Sequence, residues 1–212
     1  MPHCTRYNHS TQRSHNTNLL MQYTEQAFNL PELKGLSLKQ IDVHLKLYAG
    51  YVKNVNAIMG KIDEYKADSE KNALALSELK RRFGFEFNGM RLHELYFEAL
   101  GGGGAAGDGA LKKALEKQYG TFEKFIAEFR ALGMMRGIGW VLLTHDPKNS
   151  TFHTVWVSDH EIGHLATLPI IIAMDMWEHA FMVDYVPAQK NEYIEAFLSN
   201  LNWDACEKRF RG

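Results

Sequence analysis

The sequence predicts an α+β protein: an N-terminal antiparallel helical hairpin domain followed by a C-terminal domain of helices packed on a small three-stranded antiparallel sheet. Three observations predict it. Apolar residues recur at three and four from about 38 to 62 and again over 70–99, the period of amphipathic helices. The run GGGGAAGDG at 101–109 then breaks the chain with the composition of a linker. Beyond it, short runs of β-branched and aromatic residues are set off by turn residues. Helices first and strands later is the order of an α+β chain.

Each element follows from its residues. Residues 1–20, MPHCTRYNHSTQRSHNTNLL, are polar and without periodicity, which predicts a disordered leader. They hold no apolar stretch of a secretory signal. The lack of acids beside Arg6 and Arg13 keeps a transit peptide as the alternative, and Met21 stands where globular composition begins. A helical domain is expected over 21–100 and an α/β domain over 110–212. Ser37 with Gln40 reads as a capping box. A long helix follows, with Ile41, His44, Tyr48, Tyr51, Val55 and Ile58 on one stripe. Residues 70–83 form a second helix ending at Gly84, and 88–99 a third, where Met90, His93 and Phe97 share a face. Two short helices are expected at 110–119 and 122–132, the latter capped by Thr121. Gly139–Thr144 and Thr151–Ser158 read as strands around the turn Asp146-Pro147-Lys148-Asn149. Leu168–Met174 is a third, nearly continuous apolar strand, and a last amphipathic helix covers about 189–201.

Composition narrows the chemistry. The chain has 212 residues, enough for a sizeable core. Its 24 Lys+Arg against 25 Asp+Glu give no basic surface for nucleic acid and no polybasic face for a membrane. The longest apolar run, Leu168 to Met174, is far short of the ~20 residues of a spanning helix. Cys4 and Cys206 are the only cysteines, so a disulfide framework, a cluster or a Cys-based zinc site is excluded. Scarce thiols fit a reducing compartment, and the expected location is cytoplasmic, or an organelle if the leader is a transit peptide. Histidine, at 10 residues, leaves a His/carboxylate metal site open.

The strongest local pattern is Asp175-Met176-Trp177-Glu178-His179, directly after the third strand. A carboxylate and an imidazole four residues apart can turn to one centre. That pair suits Fe, Mn or Zn. Read alone, the same pattern describes a helix-capping Asp and a surface His. His44 and His93 change the balance. Each sits on an inward helical stripe, where a buried imidazole costs free energy unless it finds a partner. One metal would satisfy both, drawing two donors from each domain and joining them.

At these residues the chain resembles the iron/manganese superoxide dismutases. Asp175 through Phe181 is similar to the family signature D-x-W-E-H-A-[FY]. Leu36 to His44 with Tyr51-Val52-Lys53-Asn54-Val55-Asn56, Phe87-Asn88-Gly89 with His93, Tyr119-Gly120-Thr121-Phe122, Gly137-Ile138-Gly139-Trp140 and Asn202-Trp203 match further segments in order, over about residues 27–207. The resemblance implies one iron or manganese ion per subunit, held by His44, His93, Asp175 and His179. It implies alternation of that ion between +3 and +2 as two superoxide anions become O2 and H2O2. Tyr51 resembles the gateway tyrosine, and Trp140 and Trp177 the aromatic walls. Glu178 would reach the partner subunit of a homodimer.

The chain also departs from that pattern. No glutamine stands near the second ligand, and Gly89 is similar to the manganese form. Ser158-Asp159-His160-Glu161 places His160 where the manganese enzymes carry their glutamine. His160 is expected to serve as the hydrogen-bond donor in its place and to bring a pH dependence with it. The family's cross-subunit His–Tyr pair is missing: Leu47-Tyr48-Ala49 and Met182 stand at its two positions, and one residue is deleted between His44 and Tyr51. Lys190 is the candidate for the basic residue near the substrate funnel. Two other readings remain: a non-catalytic relative acting as a structural or interaction protein, and a His/carboxylate hydrolase or oxygenase. The first needs the fold but not four donor residues; the second needs more room than the Trp/Tyr surroundings leave.

Overall fold

The computed structural model describes residues 22–211; the leader, its alternative start at Met21 and Cys4 lie outside the described residues. A long helix α1 (Leu38–Lys66) begins at the N-cap Ser37, whose hydroxyl accepts the Gln40 amide. It packs along α2 (Ala73–Glu98) to make the expected hairpin. Here the structure corrects the sequence reading: the two helices expected at 70–83 and 88–99 are one. Gly84 lies inside α2 rather than ending it. A mid-helix glycine costs only about 1 kcal/mol, and Leu76, Met90, Leu92 and Phe97 bury the helix on both sides of it.

The glycine run does not swing free. Its Gly102 amide donates to the Asn200 carbonyl, and the Asn202 amide to the Ala99 carbonyl. A Cβ at Gly102 would lie 2.3 Å from the Asn202 backbone, so only glycine fits. Helices α3 (Ala110–Tyr119) and α4 (Phe122–Gly133) follow as expected, with Thr121 capping α4. Strands β1 (Gly139–Asp146), β2 (Thr151–Ser158) and β3 (Ile170–Asp175) form an antiparallel sheet in the order β2-β1-β3. The third strand starts two residues later than expected. Pro169 has no amide for the ladder, and the β1–β3 register slips between Leu143 and Thr144. Beyond the sheet lie α5 (Lys190–Ser199) and α6 (Trp203–Arg211). The sequence reading ends its last helix with α5 and gives α6 no element of its own.

Central β1 is apolar and fully buried from Gly139 to Thr144, as a strand covered on both faces must be. Helix α4 packs on β1 and β2, and α2 and α6 pack on β3. One hydrophobic core runs through both halves of the chain, from Val55 and Phe97 to Phe125, Trp140 and Phe197. Two placements converge at the end of β3. Register sets Trp140 directly opposite Asp175, and packing of α2 on β3 brings His93 toward the same strand end.

Gly89 marks where α1 and α2 meet most tightly. A Cβ there would lie 2.6 Å from the Tyr51 ring, and that ring is held at its hydroxyl by His160 at 2.7 Å. Overpacking costs about 1–3 kcal/mol, more than the ~1 kcal/mol alanine gains in helix propensity. Gly89→Ala should therefore lower stability by roughly 1–2 kcal/mol in urea unfolding; an unchanged or higher midpoint would contradict this packing.

Candidate metal centre

His44 projects from α1 and His93 from α2; Asp175 ends β3, and His179 sits in the short 3-10 turn Glu178–Ala180. Their donor atoms converge, all within 4.8 Å of one another. Asp175 Oδ2 stands 3.0 Å from His44 Nε2, 3.1 Å from His179 Nε2 and 3.5 Å from His93 Nε2. The Nε2 atoms of His93 and His179 are 3.4 Å apart. Donors about 2.1 Å from a shared ion stand roughly 3.0–3.5 Å from each other, so the spacing fits.

Proton positions make the stronger argument. His93 Nδ1 lies 2.6 Å from the Gly89 carbonyl. A carbonyl only accepts, so the proton is on Nδ1 and Nε2 carries a lone pair. That lone pair faces the Asp175 carboxylate oxygen. Two electron-rich atoms facing each other in a dry interior repel unless a cation stands between them. The other Asp175 oxygen, Oδ1, is fixed by the Trp177 amide at 2.8 Å, and its backbone carbonyl accepts from the Tyr193 hydroxyl at 2.6 Å. The carboxylate is thus locked with one oxygen aimed at the three imidazoles.

The electrostatics agree. Burial alone would raise Asp175, but His179 and His44 outweigh it and hold the carboxyl well below the usual range. Burial lowers His44, and burial with neighbouring His44 lowers His93 further. His44 and His93 are thus pushed toward the neutral form that binds metal, beside an ionised carboxylate. His44, His93 and Asp175 are fully buried, and only His179, 18 % exposed, reaches the surface. Anything that reaches the donors must be small.

His160 is no surface loop residue. It is fully buried, stacked on Trp177 with centroids 5.0 Å apart and edge-on to Phe85 at 4.6 Å. Trp140 Nε1 donates to His160 Nδ1 at 2.9 Å. An indole N–H can only donate, so His160 carries its proton on Nε2, which donates to the Tyr51 hydroxyl at 2.7 Å. Both nitrogens are thereby taken by protein partners. Burial pushes His160 down to about 4, so its titration falls well below neutrality. Burial, then Asp175 and Glu86, raise Tyr51, which keeps its proton.

Seven residues are two turns, so Tyr51 lies within about 20° of His44 around α1. Tyr48 points elsewhere, donating to Glu94 at 3.1 Å. Glu178 is exposed and makes no side-chain hydrogen bond or ion pair among the described residues. The Lys190 ammonium donates to the Met135 carbonyl at 2.7 Å and lines an open pocket with Met176 and Glu178. A guanidinium that acts on both Tyr51 and His160 belongs to a residue without any sequence signal, Arg82. It lies 3.9 Å over the Phe85 ring and pairs with Glu86. Gln40, a capping residue by sequence, is also in the site: its buried carboxamide meets the His179 carbonyl at 2.7 Å. A polar side chain one turn before an inward histidine is the signal that points to it.

Comparison with known proteins agrees with this geometry. Residues 107–209 match the profile of the iron/manganese superoxide dismutases, C-terminal domain. The chain is 40% identical over 182 residues to the superoxide dismutase [Fe] of Cupriavidus metallidurans, covering 84% of this chain and 90% of that one. It is 32% identical over 177 residues to the superoxide dismutase [Fe] of Sulfolobus acidocaldarius, covering 81% and 83%. It is also 32% identical over 169 residues to the superoxide dismutase [Mn] of Mycolicibacterium smegmatis, covering 79% and 80%. On the extent of that likeness, the chain belongs to the iron/manganese superoxide dismutase family.

Proposed function

We propose that the protein is a superoxide dismutase whose iron or manganese ion is held by His44, His93, Asp175 and His179, one ion per subunit. The reaction turns two superoxide anions and two protons into O2 and H2O2. The carrying observation is the convergence of three imidazole nitrogens on one buried carboxylate oxygen. When bound, the ion supplies one-electron chemistry between its +3 and +2 states. The protein's part is to hold four donors dry, admit a small anion and bring protons.

Tyr51 and His160 are placed for the proton work. His160 Nε2 donates to the Tyr51 oxygen, so the Tyr51 hydroxyl keeps its own proton to donate. An imidazole has one N–H where a carboxamide has two. A glutamine can serve the tyrosine and the centre together, whereas His160 serves one. Trp140 fixes the His160 tautomer, and Trp177 stacks on both His160 and His179.

The remaining assignments rest on the family resemblance. Two donors come from the helical domain at 21–100 and two from the α/β domain at 110–212, so the ion would join the two. A homodimer is favoured by exposed Met182, Val183, Val186 and Ile138 in the segments around Glu178, which would reach toward the partner subunit. No helix among the described residues is long and apolar enough to cross a membrane. Scarce thiols favour the cytoplasm, or an organelle for a chain with a targeting leader, and an antioxidant role follows from the reaction.

Elemental analysis should find one iron or manganese per chain after reconstitution, with dismutase activity. His179→Ala should lower metal affinity or activity by at least about 100-fold. Metal-free protein without activity after reconstitution with either ion would instead favour a structural or interaction role. Zinc with hydrolytic activity would favour the hydrolase.

His160→Gln restores a second N–H. The variant should change the ratio of iron- to manganese-supported activity several-fold, with no new step in the pH profile near neutrality because burial already holds His160 down to about 4; an unchanged metal ratio would mean that His160 has no part in the chemistry.

Acid should also weaken the metal-free fold. His44, His93 and His160 are lowered from about 6.5 in the unfolded chain. Below that pH the unfolded state binds protons the folded state refuses, so stability is complete above about 6.5 and falls with pH. His160 alone should cost roughly 2 kcal/mol at pH 5. Urea midpoints equal at pH 7 and pH 5 would refute this.

A further inference from the structure

The capping box expected at residues 37–40 is only half made. Ser37 Oγ accepts the Gln40 amide at 3.0 Å. The return bond, from the Ser37 amide to the Gln40 side chain, is replaced: Asp184 Oδ2 takes that amide at 2.6 Å. The Gln40 carboxamide turns inward instead and is fully buried. Its Nε2 donates to the His179 carbonyl at 2.7 Å, and its Oε1 accepts the Val183 amide at 3.0 Å. Gln40 lies one turn before His44 on the same face of α1. A single carboxamide therefore ties the backbone of one donor residue to the helix that carries another.

His179 needs such a tie more than the other three. His44 and His93 stand on helices of 29 and 26 residues, and Asp175 on a strand paired along its length. His179 stands on a 3-10 turn of three residues, held by the Ala180 amide on the Trp177 carbonyl and the Phe181 amide on the Glu178 carbonyl. Such turns have poorer hydrogen-bond geometry than an α-helix. It is also the donor with solvent access.

We propose that Gln40 is the positioning residue for His179. Its carboxamide, rather than the short turn itself, fixes where the His179 donor atom stands, and so governs how firmly the centre keeps its ion. This rests on reading the cluster as a metal centre. The second tie at the same junction, Asp184 to Ser37, holds the chain without touching a donor residue and serves as the internal control.

The experiment measures transfer of manganese or iron from the reconstituted full-length protein to a chelator, beside urea unfolding of each metal-free protein. Gln40→Met keeps the length and removes both bonds. Gln40→Glu keeps the oxygen that accepts from Val183 and loses the N–H that reaches His179, and covers a methionine variant that fails to fold. Asp184→Ala cuts only the control tie. Both Gln40 variants should release the ion at least about 10-fold faster and shift the visible absorption of the manganese(III) form. Asp184→Ala should release it within about 3-fold of wild type at a matched loss of stability. Release at the wild-type rate from the Gln40 variants would overturn the proposal. So would acceleration in all three in proportion to lost stability. A wild-type protein that takes up neither ion would instead remove the metal reading beneath it.

Discussion

A fully buried carboxylate is the constraint on which the rest of this structure depends. Asp175 is fully buried, and its Oδ2 faces three imidazole nitrogens. An isolated buried anion of this kind costs many kcal/mol. The Trp177 amide offsets part of that on Oδ1. On the Oδ2 side, His93 cannot help as a donor, because its proton is committed to the Gly89 carbonyl. His44 and His179 stand within hydrogen-bond distance of Oδ2, but the His93 lone pair is left facing it, a repulsion that a bound cation would relieve. With all three imidazoles binding through their lone pairs, the donor set would carry a charge of about −1, suited to a di- or trivalent ion of intermediate hardness.

The architecture is the means of bringing those donors together from four separate elements. The sheet register sets Trp140 beside Asp175. Gly139, at φ +148° and with Val157 O 2.0 Å from where a Cβ would be, lets β1 begin close enough to β2 for that register. The long hairpin carries two histidines to the strand end, and Gly89 lets Tyr51 cross between the helices. Trp140 then plays two roles that do not compete. It fills the core, and its single N–H dictates which nitrogen of His160 bears the proton. Core packing and proton placement are thus the same contact.

Periodicity and donor chemistry make much of this legible without coordinates. Histidines on two apolar stripes, and a carboxylate four residues ahead of a third histidine, name the four donors, because burying imidazole without a partner is costly. The short helices at 110–119 and 122–132 and the second strand are also legible, from caps and β-branched runs. The hidden parts depend on tertiary choices. Gly84 reads as a stop because propensity is local, while the packing that carries α2 through it is not. The separate helix α6 is obscured by a short three-residue break, Asn200 to Asn202. Arg82 looks like a solvated charge; nothing in the sequence says that it lies over Phe85. Gln40 fits a capping box, and only the loop after His179 decides where its carboxamide goes.

His160 shows how the single proton of one side chain decides which neighbours it can serve. A glutamine at this place would offer one acceptor and two donors, enough to take the indole N–H, reach the tyrosine and still face the centre. His160 takes the indole N–H on Nδ1 and gives its only proton to Tyr51. Whatever hydrogen bonding the centre receives from this side must therefore pass through the tyrosine hydroxyl. Burial keeps His160 neutral down to about 4, so this polarity does not reverse near neutral pH. Reduction of a metal centre is tuned by the donors around it. A tyrosine held by His160 would act on that tuning at one remove, without moving any of the four donors.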